Sequence, residues 1–313
     1  MSLERALALA GGHAGRGYPN PTVGAVVVGT NGSVVGEGIS EPAGGPHAEV
    51  VALDAAGEAA RGGTLFVTME PCAHHGRTPP CAERIIEAGV GRVVAGCADP
   101  NPDAQGGAPR LRDAGVDVEL LDLPAARRQN EAWRTWVARG RPHVMLKLAV
   151  SVDGRVAVPE RRWVTGEESR RRVHELRASV DAVAVGMGTV RADAPRLDVR
   201  EAPVVRQPRR LAFGGGPLPD GSELELRSGA LRDELAALAA EGVQSLLLEG
   251  GPTLATAFLA DSLVDRLLVF VAPVVAGDGP PMTGPLPEPL DLGVPELERV
   301  GDDVLLGWRL QEV

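Results

Sequence analysis

His47-Ala48-Glu49, Pro71-Cys72 and, after eight intervening residues, Cys81 are the residue types and spacings in this chain best suited to chemistry. One imidazole and two thiolates give a zinc ion three protein ligands and leave the fourth tetrahedral position to water, as a catalytic rather than a structural site requires. Water held there loses a proton near neutral pH, and a neighbouring carboxylate, here Glu49, can carry that proton to a departing group. The spacing also constrains the backbone. Residues i and i+2 of a helix do not share a face, so His47, which follows Pro46, is expected at or just before a helix start. Pro79-Pro80 likewise puts Cys81 at the start of another helix, where the dipole favours thiolate. Taken singly, His47 reads as a surface histidine and Cys72 and Cys81 as small buried hydrophobes; the combination is what points to a metal. Cys97 has no partner pattern and reads as a core residue.

The elements that must position these residues follow from local patterning. Leu3 to Ala10 reads as a helix, and Val23 to Val28 and Ser33 to Ile39 as strands joined through the hairpin signal Asn31-Gly32. Ala48 to Ala60 is expected to be helical, Thr64 to Thr68 a strand, Ala82 to Ala88 a helix and Arg92 to Gly96 a strand, which together make an α/β layer. Pro124 to Arg139, with Trp133 and Trp136, reads as a connecting helix ended by Gly140-Arg141-Pro142. Beyond it, Val144, Leu146, Leu148 and Val150 alternate along a strand from His143 to Val152. A second α/β domain is completed by helices at Glu167 to Ala178 and Leu231 to Ala240 and strands at Asp181 to Val185, Ser245 to Leu248 and Arg266 to Val275. Leu246 to Thr253 reads as strand, glycine turn and helix start, a form that exposes backbone N–H groups toward a phosphate. Pro280 to Pro295 reads as loop.

Composition narrows the function classes. At 313 residues, two domains are the natural expectation, and 44% apolar with 24% charged residues is ordinary for a folded protein. The net charge of -10 argues against nucleic acid as the main partner. No segment has the length and apolarity of a membrane span, and the N-terminus lacks a secretory pattern, so a cytoplasmic address is expected. Three cysteines are too few, and odd in number, for a disulfide framework.

His-x-Glu, then Pro-Cys after a strand and a second Cys opening a helix, matches the nucleobase-deaminase signature in order and context, with the usual Cys-x-x-Cys expanded. Pro19-Asn20-Pro21-Thr22-Val23-Gly24, Glu70-Pro71-Cys72-Ala73-His74, Gly76-Arg77-Thr78-Pro79-Pro80-Cys81 and Asp99-Pro100-Asn101-Pro102 extend the likeness. Read together, they resemble the bifunctional riboflavin-biosynthesis deaminase/reductase family, whose own pattern has the expanded spacing. The resemblance continues through Lys147-Leu148-Ala149-Val150-Ser151-Val152-Asp153-Gly154, Trp163-Val164-Thr165, Asp193-Ala194-Pro195-Arg196-Leu197 and Glu249-Gly250-Gly251, and so covers nearly the whole chain.

The resemblance implies a cytidine-deaminase-like layered domain over residues 1–140 and a dihydrofolate-reductase-like α/β domain over residues 141–313. It implies zinc-dependent deamination of a diaminopyrimidinone ribosylamino phosphate, then NADPH-dependent reduction of its ribosyl group to ribityl, in a homo-oligomer. On that likeness Asn20, His74, Arg77, Asp99 and Asn101 line the deaminase pocket. Ala149, Trp163, Thr165, Thr189, Asp193, Gly250 and Gly251 would contact NADPH. Lys147, Arg177, Leu197, Arg200 and Glu249 would face the substrate, with Lys147 and Asp193 catalytic alongside Glu49.

Other readings of the same residues stay open in the sequence. Asn20, Asp99 and Asn101 sit in Pro-rich turns and suit turn formation as well as ligand contact. Arg177 and Arg200 could be solvated charges, and Gly250-Gly251 a tight connection with no ligand. The chain departs from the family pattern at Gly38-Ile39-Ser40, where Gly-x-His is usual, and at Arg161-Arg162, where a small Ser is usual. It departs again at Phe213-Gly214-Gly215, where the strand often ends in Asp-Ser. One alternative is therefore a deaminase whose second domain has altered or lost reductase activity. Another is a non-catalytic, zinc-stabilised interaction protein, whose mark would be a fourth ligand from His74 or His75.

Overall fold

The computed structural model describes residues 2–13, 15, 18–75 and 79–313, and its two units are Met1–Ala138 with Val313, and Arg139–Glu312. The first unit opens with α1 (Ser2–Gly11), β1 (Gly24–Val28), β2 (Val34–Ile39) and α2 (Ala48–Ala56), the last continued by a 3-10 turn over Gly57–Ala60. There follow β3 (Thr64–Val67), α3 (Cys81–Glu87), β4 (Arg92–Ala95), α4 (Gly107–Asp113), β5 (Asp117–Leu120), α5 (Pro124–Gln129) and α6 (Glu131–Arg139). The strands form one sheet in the order β2-β1-β3-β4-β5. β1 runs antiparallel to β2 and β3, and β3, β4 and β5 run parallel. The β1–β2 turn is held by Asn31, whose Oδ1 accepts from the Ser33 N–H at 3.0 Å.

Strand alternation puts Ala25, Val27, Leu65, Val67, Val93 and Ala95 on one face, packed by Ala48, Ala52 and Leu53 of α2 and Ile85 of α3. Val26 and Val94 face the other way, against Leu3 and Ala6 of α1. Gly36 and Gly38 of β2 let α2 lie close on the sheet: a Cβ there would come within 2.1 Å of Ala52 O and 2.2 Å of Ala48 O. That close approach fixes the start of α2 over the sheet.

Where the sequence reads one helix from Pro124 to Arg139, the structure has two, α5 and α6, separated at Asn130. The Asn130 carboxamide accepts from the Thr22 N–H and donates to the Thr22 carbonyl, both at 2.9 Å, and its backbone leaves the helical region. α4 and β5 were not foreseen: α4 carries Gly107 and Pro109 in its first turn, and β5 buries only Val118, so neither shows an apolar pattern.

The second unit contains β6 (His143–Ser151), α7 (Glu167–Ala178), β7 (Ala182–Gly186), α8 (Met187–Asp193), β8 (Arg209–Phe213), β9 (Glu225–Arg227) and α9 (Leu231–Ala240). It ends with β10 (Ser245–Leu248), α10 (Pro252–Ala260), β11 (Arg266–Ala272), β12 (Glu296–Val300) and β13 (Asp303–Arg309). Its eight-stranded sheet has the order β12-β13-β11-β6-β10-β7-β8-β9, parallel from β11 to β9 and antiparallel at β12 and β13. The expected alternation in β6 holds: Val144, Leu146, Leu148 and Val150 are buried under Leu235, Leu238 and Phe258. The opposite face carries Met145, Val183, Leu247 and Phe270 against Leu176 and Val190. β11 stops at Ala272 rather than Val275 because Pro273 has no N–H for the ladder. α7 receives an N-terminal cap from β13: Asp303 Oδ2 accepts from the Gly166 N–H at 2.8 Å and Ser169 Oγ at 2.6 Å. Among the described residues, no helix is long and apolar enough to cross a membrane.

Candidate active sites

His47 is the N-cap of α2, with extended φ/ψ, and Cys81 is the first residue of α3, as the prolines ahead of them predict. Cys72 approaches from the loop after β3, and the Cys81 N–H points at its sulfur at 3.4 Å. The imidazole Nδ1 lies 3.2 Å from Cys81 Sγ and 3.7 Å from Cys72 Sγ, and all three ligand atoms fall within 4.8 Å of one another. A tetrahedral zinc with bonds of about 2.0 Å to nitrogen and about 2.3 Å to sulfur separates such atoms by about 3.6 Å. The donor set therefore fits zinc. Among the described residues no fourth His, Cys, Asp or Glu joins the cluster, and His74 and His75 are exposed.

The close packing of these groups shifts their proton affinities. The hydrogen bond from Cys81 and, against burial, that with His47 lower the Cys72 thiol to about 4. The same sharing and burial raise Cys81. Hydrogen bonding to Cys72 raises His47. Glu49, in the first turn of α2, is 4% exposed, and burial pushes its carboxyl up to about 7 although His47 draws it down.

A cavity of about 360 Å³ opens onto this cluster. Of the expected pocket residues it is lined by Asn20, His74, Asp99 and Asn101, together with Ser40; Arg77 lies outside the described residues. Asp99 and Asn101 also form the turn their sequence suggested: Asp99 Oδ1 accepts from the Asn101 N–H at 2.8 Å, and Asn101 Oδ1 from the Asp103 N–H at 3.1 Å. Burial raises Asp99 to about 6, opposed by the Asn101 N–H. Glu41, Glu70, Trp133, Trp136 and Val137 line the cavity without having been foreseen. The signal was available in the i, i+3 spacing of Trp133 and Trp136, which puts two indoles on one face of a helix read only as a connector.

In the second unit, strand register makes the site. Leu248 of β10 pairs with Leu146 of β6, so Glu249, the first residue past β10, lies beside Lys147, midway along β6. Lys147 Nζ lies 3.4 Å from Glu249 Oε2, and Arg177 of α7 binds both carboxylate oxygens, at 2.5 and 3.1 Å, while donating to the Asp198 carbonyl at 3.0 Å. Arg177 is therefore not a solvated charge. Burial pushes the Glu249 carboxyl up, but Lys147 and Arg177 outweigh it and hold it below the usual range. Two cations around one carboxylate leave a net positive charge, suited to a phosphate.

The other expected residues are spread around these strand ends. Ala149 follows Lys147 on the same face of β6. Leu197 is buried, in the left-handed region at φ 56°, and Arg200 is an exposed partner of Asp198. Trp163 is 55% exposed with the Arg162 and Arg170 guanidinium groups over its ring at 5.2 and 5.7 Å, and the Thr165 carbonyl accepts from Arg170. Gly251 is the N-cap of α10, followed by Pro252, and Thr189 Oγ1 stands where a Gly251 Cβ would meet it at 3.4 Å. Bare backbone with unbonded first-turn N–H groups at the carboxyl ends of parallel strands fits a dinucleotide phosphate. Asp193 ends α8 exposed and takes no part in the Lys147–Glu249–Arg177 cluster.

Comparison with known proteins agrees with both halves. Residues 2–97 match the cytidine and deoxycytidylate deaminase zinc-binding region, and residues 142–214 and 224–306 match the RibD C-terminal domain. The chain is 42% identical to the riboflavin biosynthesis protein RibD of Mycobacterium tuberculosis over 97% of its own length and 96% of that protein. It is 36% identical to the protein of the same name from Escherichia coli, over 97% of each. Among solved structures, Acinetobacter baumannii RibD superposes with a TM-score of 0.85 at 33% identity, covering 100% of this chain and 99% of that one. A Thermotoga maritima diaminohydroxyphosphoribosylaminopyrimidine deaminase/5-amino-6-(5-phosphoribosylamino)uracil reductase gives 0.83 at 32%, over 98% and 97%.

Proposed function

The chain belongs to the RibD family of riboflavin-biosynthesis proteins, a bifunctional deaminase and reductase, and we propose that its two units act in turn on one pyrimidine ribosyl phosphate. In the first unit the reaction is a hydrolysis. Water adds at the amino-bearing carbon of a diaminopyrimidinone, the C–N bond breaks, ammonia leaves and a carbonyl remains. Zinc, when held by His47, Cys72 and Cys81, supplies the Lewis acidity that makes water a nucleophile near neutral pH. Glu49 takes the water proton on its carboxylate and returns it to the departing nitrogen. Its proton affinity near neutrality suits both halves of that exchange. Asn20 and Asn101 offer amide groups to the ring edges, with Asp99 and His74 beside them, and Trp133 and Trp136 give the ring an apolar wall. Arg77 is assigned here from the family pattern alone.

In the second unit NADPH, when bound, supplies the hydride that opens the ribosyl group to ribityl. The chain's own work there is positioning. Arg177, pinned by Glu249, and Lys147 hold the substrate by phosphate and sugar oxygens, with Leu197 and Arg200 completing that side. Ala149, Trp163, Thr165, Thr189 and the Gly250-Gly251 turn take the cofactor, and Asp193 is assigned to cofactor and catalysis on the family pattern.

The observation that carries this reading is three ligand atoms at zinc spacing, opening onto a cavity that also holds Glu49. Incubating the purified chain with the diaminopyrimidinone ribosylamino phosphate, with and without NADPH, and weighing each product tests it. The deaminated compound should form in both cases and the ribityl compound only with NADPH. Accumulation of the deaminated compound despite NADPH would shift the reading to a deaminase with a lost reductase.

A further inference from the structure

Arg191 is an exposed guanidinium with an unusual seat. It lies in the last turn of α8, reaches back over the turn that follows β8 and donates from Nη2 to the Gly215 carbonyl at 2.8 Å. Gly216 has φ 96°, a backbone that favours glycine, and with no side chain there the Arg191 Nη2 lies against the turn, 2.7 Å from where a Cβ would stand. Among the described residues no carboxylate pairs with Arg191, whereas Arg209 and Arg210 of the adjoining β8 both have acidic partners.

The position matters because of the strand order. β10, β7 and β8 are consecutive and parallel, so the Gly250-Gly251 turn, the start of α8 and the Gly214–Gly216 turn leave the same edge of the sheet. Strand spacing puts the last of these about 10 Å from the first. On the opposite side of β10 is β6, with Lys147. A dinucleotide whose pyrophosphate rests at Gly250-Gly251 and whose nicotinamide points toward Lys147 must extend its adenosine half across β7 toward β8. Sites that prefer the cofactor without the extra phosphate offer a carboxylate to the ribose 2′-hydroxyl, and sites that prefer the phosphorylated form offer an arginine. The glycines that open the connection after β8, Gly214-Gly215-Gly216, offer no carboxylate where the Arg191 guanidinium lies; the acidic residues of that connection, Asp220 and Glu223, come later, and Glu223 is taken by Arg210.

We propose that Arg191 binds the 2′-phosphate of NADPH and is the residue by which this chain prefers NADPH to NADH. The proposal rests on the reductase reading of the second unit and deepens it. It is tested by calorimetric titration of the full-length zinc-loaded protein with NADPH and with NADH, for the wild type and for R191L and R191K. A charge-assisted pair to phosphate contributes about 1.5–3 kcal/mol, so R191L should weaken NADPH about tenfold or more while NADH binds as before, and R191K should recover part of the loss. Independently of any variant, 2′,5′-ADP should displace NADPH from the wild type far better than ADP does. An R191L protein with an unmoved NADPH-to-NADH ratio, or wild type displaced equally by the two nucleotides, overturns the assignment. Wild-type protein that binds neither dinucleotide instead overturns the reductase reading beneath it.

Discussion

The two halves of the chain build their sites from different materials. In the first unit, three ligand atoms and one carboxylate converge from a helix cap, a loop and a helix start, each side chain named by its own short motif. In the second, the proposed site is a set of backbone turns past β10, β7 and β8 and a charge cluster in which Lys147, midway along β6, meets Glu249 because β6 and β10 lie in register. A metal requires particular donor atoms at fixed distances, whereas a nucleotide can be held by almost any backbone with free N–H groups and a few cations. Chemistry of the first kind is carried by residue identity. Chemistry of the second kind is carried by topology.

If that contrast is right, variants should separate the halves cleanly. Glu49→Ala has the largest expected effect: deamination should fall roughly 10²–10⁴-fold with zinc content unchanged, because the proton carrier goes and the ligands stay. Metal analysis beside product assays checks this, and a zinc-free E49A protein would contradict the role. Lys147→Ala should slow the NADPH-dependent step by roughly 10² while deamination continues at the wild-type rate. A deaminase rate that fell with it would mean the halves are not separable in this way.

Glu249→Gln tests stability rather than turnover. Removing one side of a buried charge cluster costs about 3–5 kcal/mol when no partner replaces it, and a glutamine that keeps some hydrogen bonds should cost less. The native carboxyl is held below its unfolded value of 4.5, so its contribution is fully present above that value and is lost as pH falls through the lower, folded one. Denaturant melts should therefore give wild type and E249Q the same stability in acid and different stabilities at neutral pH. The smallest effect is expected for Asn130→Ala, which removes two hydrogen bonds worth about 1 kcal/mol each and should appear as a raised KM for deamination with kcat little changed.

Legibility in the sequence followed the same division. Prolines ahead of His47 and Cys81 announced both helix starts, and the period of β6 announced its buried face, because local rules govern both. The break at Asn130 could not be read locally, since its cause is Thr22, more than a hundred positions away. β12 and β13 escaped for a related reason: β12 is an almost wholly exposed edge strand, and β13 gains its place by pairing with β11. Arg191 was one arginine among many until β8 was set beside β7 and the turn after it came within reach.

Asn130 carries one more implication. Its single carboxamide grips the segment bearing Asn20 from one side and marks the restart of the helix bearing Trp133 and Trp136 on the other. The width of the cleft between those walls is thus gauged by one side chain acting as a spacer. A homologous enzyme could admit a bulkier or slimmer ring by altering that spacer alone, leaving every chemically active group untouched.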